Sequence, residues 1–280
     1  MRTLLVVALL TSTAFAGGPS TKQVQDSLRT FDDADSATPR FGFDSLGVHA
    51  NEKRWQDTNK DVLDLVKLEK VAVTSSADGT AAWATFRLRR AMQCAGLKGR
   101  LEQCESSDVP AVNMLLVLER DGKKWVPVTS HSGAPISDGD VNAKLVAGMK
   151  LAAIPKQTSD AASDAVAMFS STIGSPAKLS ASVAANATLI GSSNEMLSGA
   201  KVAASLKKWN LAFTALDGIA SGATSSGTVA WVAANVSATS ADPKAPAKKQ
   251  QYRMMCLYEK QKAGWKLVAI TFSFPFQPPA

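Results

Sequence analysis

The chain carries only two histidines, His49 and His131, and histidine is the side chain that moves protons most readily near neutral pH. His131 lies between two serines in an apolar stretch. It can therefore act as an acid or base, or be a hydrogen-bonded histidine within a strand, which is the commoner role. Acid–base chemistry would need a nearby carboxylate, for which Asp44 and Glu52 are the candidates. His49 is expected in a surface loop.

Two arginines, Arg87 and Arg89, lie two residues apart and would share one face of a strand. There they can bind an anionic ligand bidentately or form a solvated surface. Trp83 and Trp231 occupy matching positions in two similar segments. They can line a ligand site, although recurrence within a duplication is what core residues show. All four are candidate ligand-binding residues.

The cysteines favour one disulfide and no metal site. Nine residues separate Cys94 from Cys104, which can form a bridge in an oxidising compartment. Cys256 lies in an apolar run and is expected to be a free, buried thiol. Because the sequence has no Cys-x-x-Cys pattern and only two histidines, a zinc site is not expected. The sequence contains no nucleotide-binding loop, so no cofactor is expected.

Residues 1–16 have the three-part pattern of a signal peptide. Arg2 is followed by the apolar run Leu4–Leu10 and by the small-x-small site Ala14–Ala16. A transmembrane anchor would need about 20 apolar residues, and three hydroxyl residues interrupt this run early. The pattern therefore predicts export to the periplasm or beyond the cell, with cleavage after Ala16.

The net charge is +7, and the excess lies in residues 141–280, which carry 14 Lys or Arg against six Asp or Glu. A basic surface can bind nucleic acid or an anionic membrane. These lysines, however, are scattered without interleaved aromatic residues. The pattern indicates a solvated surface, so nucleic acid is not the expected partner. No later segment is apolar over the length of a membrane span.

An internal repeat is the most informative feature of the sequence. Residues 78–88, DGTAAWATFRL, resemble residues 226–236, SGTVAWVAANV. Farther along each copy, a glutamate precedes a tryptophan by six residues. These fixed spacings indicate two copies of one α+β unit. The expected organisation is a first domain at 17–135, a partly helical connector at 136–158 and a second domain at 159–280.

Alternating apolar positions predict the strands that must position the candidate residues. Phe86 and its even-numbered neighbours would share one face, and Trp83 and its odd-numbered neighbours the other. The apolar run at 114–118 predicts a central strand covered on both sides. Gly122 and Gly264 mark hairpin turns. Helices are predicted at 20–31, 159–172, 175–186 and 198–209.

Three segments carry a resemblance to a known superfamily, namely LIGSSNE at 189–195, SGTVAWVAANVS at 226–237 and GWKLVAITFSFP at 264–275. They resemble the SnoaL-like branch of the nuclear transport factor 2-like superfamily, and the first repeat matches in its C-terminal half. The resemblance implies an α+β fold of two cone-shaped domains, each a strongly bent antiparallel sheet packed on N-terminal helices. Such domains often pair through the outer face of the sheet. The two copies are therefore expected to form an intramolecular pseudo-dimer.

Enzymes of this superfamily use Asp, His or Tyr inside the cone, and SnoaL-like domains often carry two histidines on the closing strand. Ala269 and Thr271 stand at those positions in the second copy, and Thr129 and His131 in the first. We therefore expect an exported, non-catalytic protein that binds a small apolar molecule or serves as an interaction module. The second copy would be catalytically silent, and any chemistry or ligand binding is expected in the first copy. The second copy could still hold an apolar ligand or serve as a scaffold, since Phe272, Phe274 and Phe276 supply apolar surface. The alternative is an isomerase- or cyclase-like enzyme that uses His131 on a hydrophobic small molecule.

The signal pattern predicts that the mature protein begins at Gly17. Intact mass or N-terminal sequencing of the exported form should show the loss of residues 1–16. A mature protein that keeps Arg2 would contradict the prediction.

Overall fold

The computed structural model of the chain describes two α+β units whose sheets pack against each other. The first unit spans residues 17–133 and the second spans residues 153–274. The residues described are 17–30, 41–43, 48–50, 66–90, 92–95, 101–104, 112–133, 153–154, 156, 158–192, 195–242, 244 and 250–274. In this part of the chain no helix is long and apolar enough to cross a membrane.

The first unit contains a six-stranded sheet and one helix, α1, at Thr21–Thr30. The sheet order is β2-β1-β8-β7-β4-β3, and every pair is antiparallel except β1 with β8. A separate hairpin is formed by β5, Met92–Ala95, and β6, Leu101–Cys104. The strands of the main sheet are β1 Phe41–Phe43, β2 Val48–Ala50, β3 Val66–Ser75, β4 Ala81–Arg90, β7 Val112–Asp121 and β8 Lys124–Gly133.

The second unit contains a six-stranded sheet of the same order, β10-β9-β14-β13-β12-β11, in which β9 pairs parallel with β14. A 3-10 turn at Asp160–Ala162 leads into helix α2, Ser163–Thr172. Two more helices follow, α3 at Pro176–Ser182 and α4 at Ala200–Trp209. The strands are β9 Val183–Ile190, β10 Met196–Ser198, β11 Leu211–Ala223, β12 Val229–Ser240, β13 Gln250–Gln261 and β14 Gly264–Ser273.

Local signals in the sequence explain where several elements begin and end. The Ser20 hydroxyl accepts a hydrogen bond from the Gln23 backbone N–H at 3.2 Å, and the Gln23 side chain accepts one from the Ser20 N–H at 2.9 Å. This reciprocal pair is a capping box. Helix α4 ends at Trp209 and is followed by Asn210, whose φ of 50° is left-handed and closes the helix. Gly122 and Gly264 have positive φ in the two hairpin turns, as the sequence predicts.

The predicted helix at 175–186 is shorter than expected. Helix α3 ends at Ser182, and Val183–Ile190 form a strand between β10 and β14. Leu189 is buried on the helix side of this strand, and Ile190 on the opposite side. Burial on both sides therefore overrides the helical propensity of an alanine-rich segment.

Strands β3 and β11 are not predicted from the sequence pattern. The register of β3 shifts between Glu69 and Ala72, and that of β11 shifts between Ala215 and Ile219. Such irregularities interrupt the alternation of apolar and polar positions that identifies a strand. The other predicted helices, at 20–31, 159–172 and 198–209, are confirmed as α1, α2 with its 3-10 turn, and α4.

The inner face of each sheet is the one that packs on the helices. In the first unit, Phe86 and Leu116 are buried with Val24 and Leu28 of α1. In the second unit the inner positions of β12 and β13 pack against α2, α3 and α4. This second core includes Phe169, Leu179, Val202, Leu206, Val232, Val236, Met254, Cys256, Tyr258 and Ile270.

The outer faces of the two sheets meet in one shared apolar cluster. Trp83 of β4 and Trp231 of β12 are both members of this cluster and are 0% and 2% exposed. Neighbouring positions of both sheets complete the cluster, and Ile154 joins it from the connector. Its remaining larger members are Leu115, Val117, Val128, Ile190, Val229, Met255, Leu257 and Val268.

Two glutamates join the sheets by reciprocal hydrogen bonds. Glu119 accepts one from the Ser225 N–H at 2.8 Å, and Glu259 accepts one from the Ala77 N–H at 2.7 Å. The two glutamates hold equivalent places, because Glu119 pairs with Ala81 and Glu259 with Val229 in the sheet registers. Contacts that repeat with the partners exchanged are the signature of a two-fold relation between the units.

Asp78 adds a further bond across the same contact. Its carboxylate accepts hydrogen bonds from the Ser76 hydroxyl at 2.6 Å and, across the contact, from the Thr228 hydroxyl at 2.8 Å. Partial burial raises the pKa of Asp78, but the bonds from Ser76, Thr80 and Thr228 lower it, and the pKa falls to about 2. The carboxylate therefore stays ionised through the neutral and mildly acidic range.

Several expectations fall outside the described residues. They include the signal peptide at 1–16, most of the connector at 136–158, and the carboxylates of Asp44 and Glu52. Cys94 and Cys104 lie on the paired strands β5 and β6, where Cys94 is in register with Glu102 and Cys104 with Met92. Their side chains are outside the described set, so the disulfide stays a prediction. Cys256 is a free, buried thiol, as the sequence predicts.

Removing one of the reciprocal glutamates should weaken the contact. Glu259 is 3% exposed, so Glu259→Ala leaves the Ala77 N–H without its charged acceptor. We expect a loss of about 1.5–3 kcal/mol in the free energy of unfolding, measured by urea denaturation. Glu195→Ala, which removes an exposed carboxylate, is the control and should cost less than about 0.5 kcal/mol. Equal effects of the two substitutions would contradict the structural role of Glu259.

Candidate functional site

The tryptophans predicted to line a site lie between the two sheets. The Trp231 ring covers Gly222 of the neighbouring strand, where an added Cβ would lie 2.6 Å from the ring atom Cζ2. Only glycine fits beneath the ring, so the indole position is fixed by close packing. Trp83 is fully buried, and its indole N–H has no hydrogen-bond partner. Both residues therefore serve the contact between the sheets.

His131 also lies on the outer face. It pairs in register with Leu115, a member of the shared apolar cluster, and is 2% exposed. Its Nε2 atom lies 3.3 Å from the Ser273 hydroxyl oxygen of the second unit. The histidine thus faces the other sheet, away from the helix side where a cone-shaped domain would hold a substrate. This placement favours a structural role for His131.

Of the two predicted arginines, the structure describes the side chain of Arg87, so the anion site stays a prediction. Arg87 is half-buried, and its Nε donates to the Asn113 side-chain oxygen at 3.4 Å. The side chain of Arg89 lies outside the described residues. Arg87 is thus engaged with a neighbouring strand of its own sheet.

The second sheet has the same pair with the residues exchanged. Arg253 Nε donates to the Asn235 side-chain oxygen at 3.2 Å, and the Asn235 amide donates to Asp217 at 2.6 Å. Arg253 is 0% exposed. A buried arginine is stable only when it is paired and hydrogen-bonded, as it is here. The sequence did not reveal Arg253 as a paired charge, because it is one polar residue in an otherwise apolar strand.

The inner face of the second sheet holds two ionisable side chains in an apolar setting. Burial raises the pKa of the Cys256 thiol to about 12. Burial, and then the neighbouring thiol, raises the pKa of Tyr258 well above its usual range, although Thr172 lowers it in part. The Tyr258 hydroxyl lies near Thr172 and Cys256, but no hydrogen bond of standard geometry reaches it, since the Thr172 hydroxyl donates instead to the Met168 carbonyl at 2.8 Å. Both groups therefore stay protonated at neutral pH.

An aromatic cluster lies toward one end of this inner face. Phe272 of β14 stacks on Phe213 with centroids 5.4 Å apart and meets the edges of Trp209 and Tyr252 at 6.0 and 5.9 Å. Phe274 extends the cluster at 4.8 Å from Tyr252. Trp209 is partly exposed, whereas the inner positions farther along β12 and β13 are 0% exposed. Within the cluster Trp209 is therefore the member most open to solvent, and all the side chains of the cluster are aromatic.

Polar groups at the rim of this core are few. The Trp265 indole N–H donates to the Asp164 carboxylate at 3.3 Å, in an exposed position. Among the residues that the structure describes, no group of three or more His, Cys, Asp or Glu side chains could hold a metal ion. The aromatic cluster can therefore make apolar and aromatic contacts, whereas Trp265 and its partner Asp164 lie toward the other end of β14, seven residues before Phe272.

Comparison with known proteins shows what the chain is similar to. Residues 159–277 match the sequence profile of the SnoaL-like domain. No curated protein gives a significant match. A candidate calcium/calmodulin-dependent protein kinase II association domain from Xanthomonas campestris is 17% identical, over 46% of this chain and 96% of its own, with a TM-score of 0.36.

Two further solved structures are similar at the same level. A candidate ketosteroid isomerase from Parabacteroides distasonis is 13% identical, over 41% of this chain and 86% of its own, with a TM-score of 0.33. A candidate dehydratase of the nuclear transport factor 2-like family from Streptomyces avermitilis is 18% identical, over 40% of this chain and 94% of its own, with a TM-score of 0.34. The profile match spans the second sheet and its three helices, and this unit is therefore similar to the SnoaL-like domain throughout.

Proposed function

We propose that the chain is an exported, non-catalytic protein of two SnoaL-like units, of which the second binds a small apolar molecule at its aromatic cluster. The observation that carries the proposal is the chemistry of the second unit's inner face. General acid–base catalysis needs a group that exchanges protons near the working pH. Cys256 and Tyr258, the ionisable groups described at the centre of this face, both have raised pKa values.

The ligand class follows from the aromatic cluster. Phe213, Phe272 and Tyr252 present ring faces and edges close to the partly exposed Trp209. Rings in this arrangement hold apolar ligands by area and by edge-to-face contacts worth about 0.5–1.5 kcal/mol each. A small hydrophobic molecule with little charge suits these walls.

The role of the first unit is to form an intramolecular pseudo-dimer with the second. The shared apolar cluster and the reciprocal bonds of Glu119 and Glu259 support this role. Pairing covers an apolar outer face that would otherwise be exposed on each unit. Scattering in solution should then give a compact particle, and an elongated, flexible one would contradict the pairing.

Export rests on the signal pattern at residues 1–16. The alternative function, an isomerase- or cyclase-like enzyme that uses His131, is less well supported. That side chain lies against Ser273 in the contact between the sheets and is 2% exposed. A substrate could reach it only if the sheets separated. Turnover of a hydrophobic substrate that is lost in His131→Ala would favour the enzyme.

Tyr258 tests whether the buried hydroxyl contributes to stability. Because no hydrogen bond of standard geometry reaches this hydroxyl, Tyr258→Phe removes an unsatisfied polar group, and the free energy of unfolding should stay unchanged or rise by about 1 kcal/mol. The matched control is Tyr252→Phe, which alters the only other tyrosine. Urea denaturation compares the two. A loss of more than about 1 kcal/mol in Tyr258→Phe alone would show that the hydroxyl is hydrogen-bonded in the folded chain and contradict the prediction.

Binding can be tested with a neutral apolar fluorophore, N-phenyl-1-naphthylamine, added to the mature chain. We expect a saturable increase in its fluorescence and a weakening of about three- to tenfold in Phe272→Leu, because the variant loses three ring contacts. Phe169→Leu is the control, since Phe169 is buried in the same core outside the cluster. Equal weakening in both variants, or no saturable binding to the unaltered chain, would overturn the proposed site.

A further inference from the structure

The two units are related by a two-fold axis, and Gly133 of the first unit lies beside Ser273, its equivalent in the second unit. Gly133 is in register with Asn113 on β7, and Ser273 is in register with Arg253 on β13. These are matching places at the ends of the two closing strands. A Cβ placed on Gly133 would lie 2.6 Å from the Cβ of Ser273. Residues that face their own equivalents lie close to the two-fold axis.

The contact at this axis admits only one side chain. Cβ atoms essentially never approach within 3.0 Å, and neither the Cβ nor the Cα of Ser273 can rotate away. A serine on one unit therefore requires glycine on the other. Two copies of the second unit, paired in this geometry, would bring Ser273 against Ser273 and clash.

The neighbouring position makes the contact directional. His131 and Thr271 are equivalents, because they pair in register with Leu115 and Met255. His131 meets the Ser273 hydroxyl across the axis at 3.3 Å. By the same two-fold relation Thr271 would be opposite Gly133, which has no side chain, and the Thr271 hydroxyl is buried without a partner. The hydrogen bond between His131 and Ser273 therefore has no counterpart between Thr271 and Gly133.

We infer that Gly133, Ser273 and His131 make this surface specific for pairing a first unit with a second unit. Two second units clash at Ser273, and two first units would place His131 opposite glycine, without a hydroxyl. The partner that the surface fits is therefore the dissimilar half of this same chain. The inference rests on the proposed pseudo-dimer and adds the residues that decide which pairs form.

The test exchanges the two residues in the full mature chain. Gly133→Ser alone should lower Tm by about 3–8 °C, because it overpacks the axis. Adding Ser273→Gly should recover most of the lost Tm, because the clash is removed, but not all of it, because His131 loses the Ser273 hydroxyl. Gly174→Ser is the control, because an added Cβ there has 4.0 Å to its nearest neighbour and is expected to leave Tm nearly unchanged.

The outcomes separate this inference from the pseudo-dimer itself. A Gly133→Ser chain as stable as the unaltered one, or a double variant no more stable than Gly133→Ser, overturns the specificity. Scattering from the unaltered chain decides the pairing independently: a compact particle with no rescue in the double variant defeats only the inference. An elongated particle defeats the pseudo-dimer and the inference with it.

Discussion

The structure depends on the burial of two apolar faces per sheet. Along β7, Leu115 and Leu116 point to opposite sides, and both are 0% exposed. Helices cover one side, and in each unit the other side is covered by the sheet of its partner unit. Because burial of apolar surface is the largest favourable term in folding, a unit without its partner would lose half of that cover on its central strands.

This constraint also decides what the polar residues of the outer face can do. His131, Arg253 and Glu259 are buried where the sheets meet or beside that contact, and each has a named hydrogen-bond partner. Such groups are costly to bury unless they are satisfied. His131 and Glu259 are held by partners in the other unit, and Arg253 by Asn235 of its own sheet. His131 and Glu259 are therefore occupied in joining the halves of the chain.

Much of the sheet framework could be predicted from the sequence. Alternation around Phe86 grouped the residues of β4 correctly onto two faces, and the hairpin glycines marked the turns, because both signals are local. The candidate site was less accessible to prediction. Whether the outer face meets solvent, a ligand or a second sheet depends on contacts between residues about 140 positions apart, such as His131 with Ser273. The irregular strand β11 and the strand at 183–190 were missed because bulges and burial on both sides erase the local pattern.

The buried thiol of Cys256 bears on how the chain acquires its covalent form. Thiolate is the species that attacks disulfides and reacts with oxidants, and a pKa of about 12 leaves almost none at neutral pH. In the unfolded chain the same thiol titrates normally and competes with the other two cysteines for a partner. Closure of the second sheet therefore ends this competition. Burial of β13 before the cysteines oxidise would therefore favour the Cys94–Cys104 pairing that the sequence predicts.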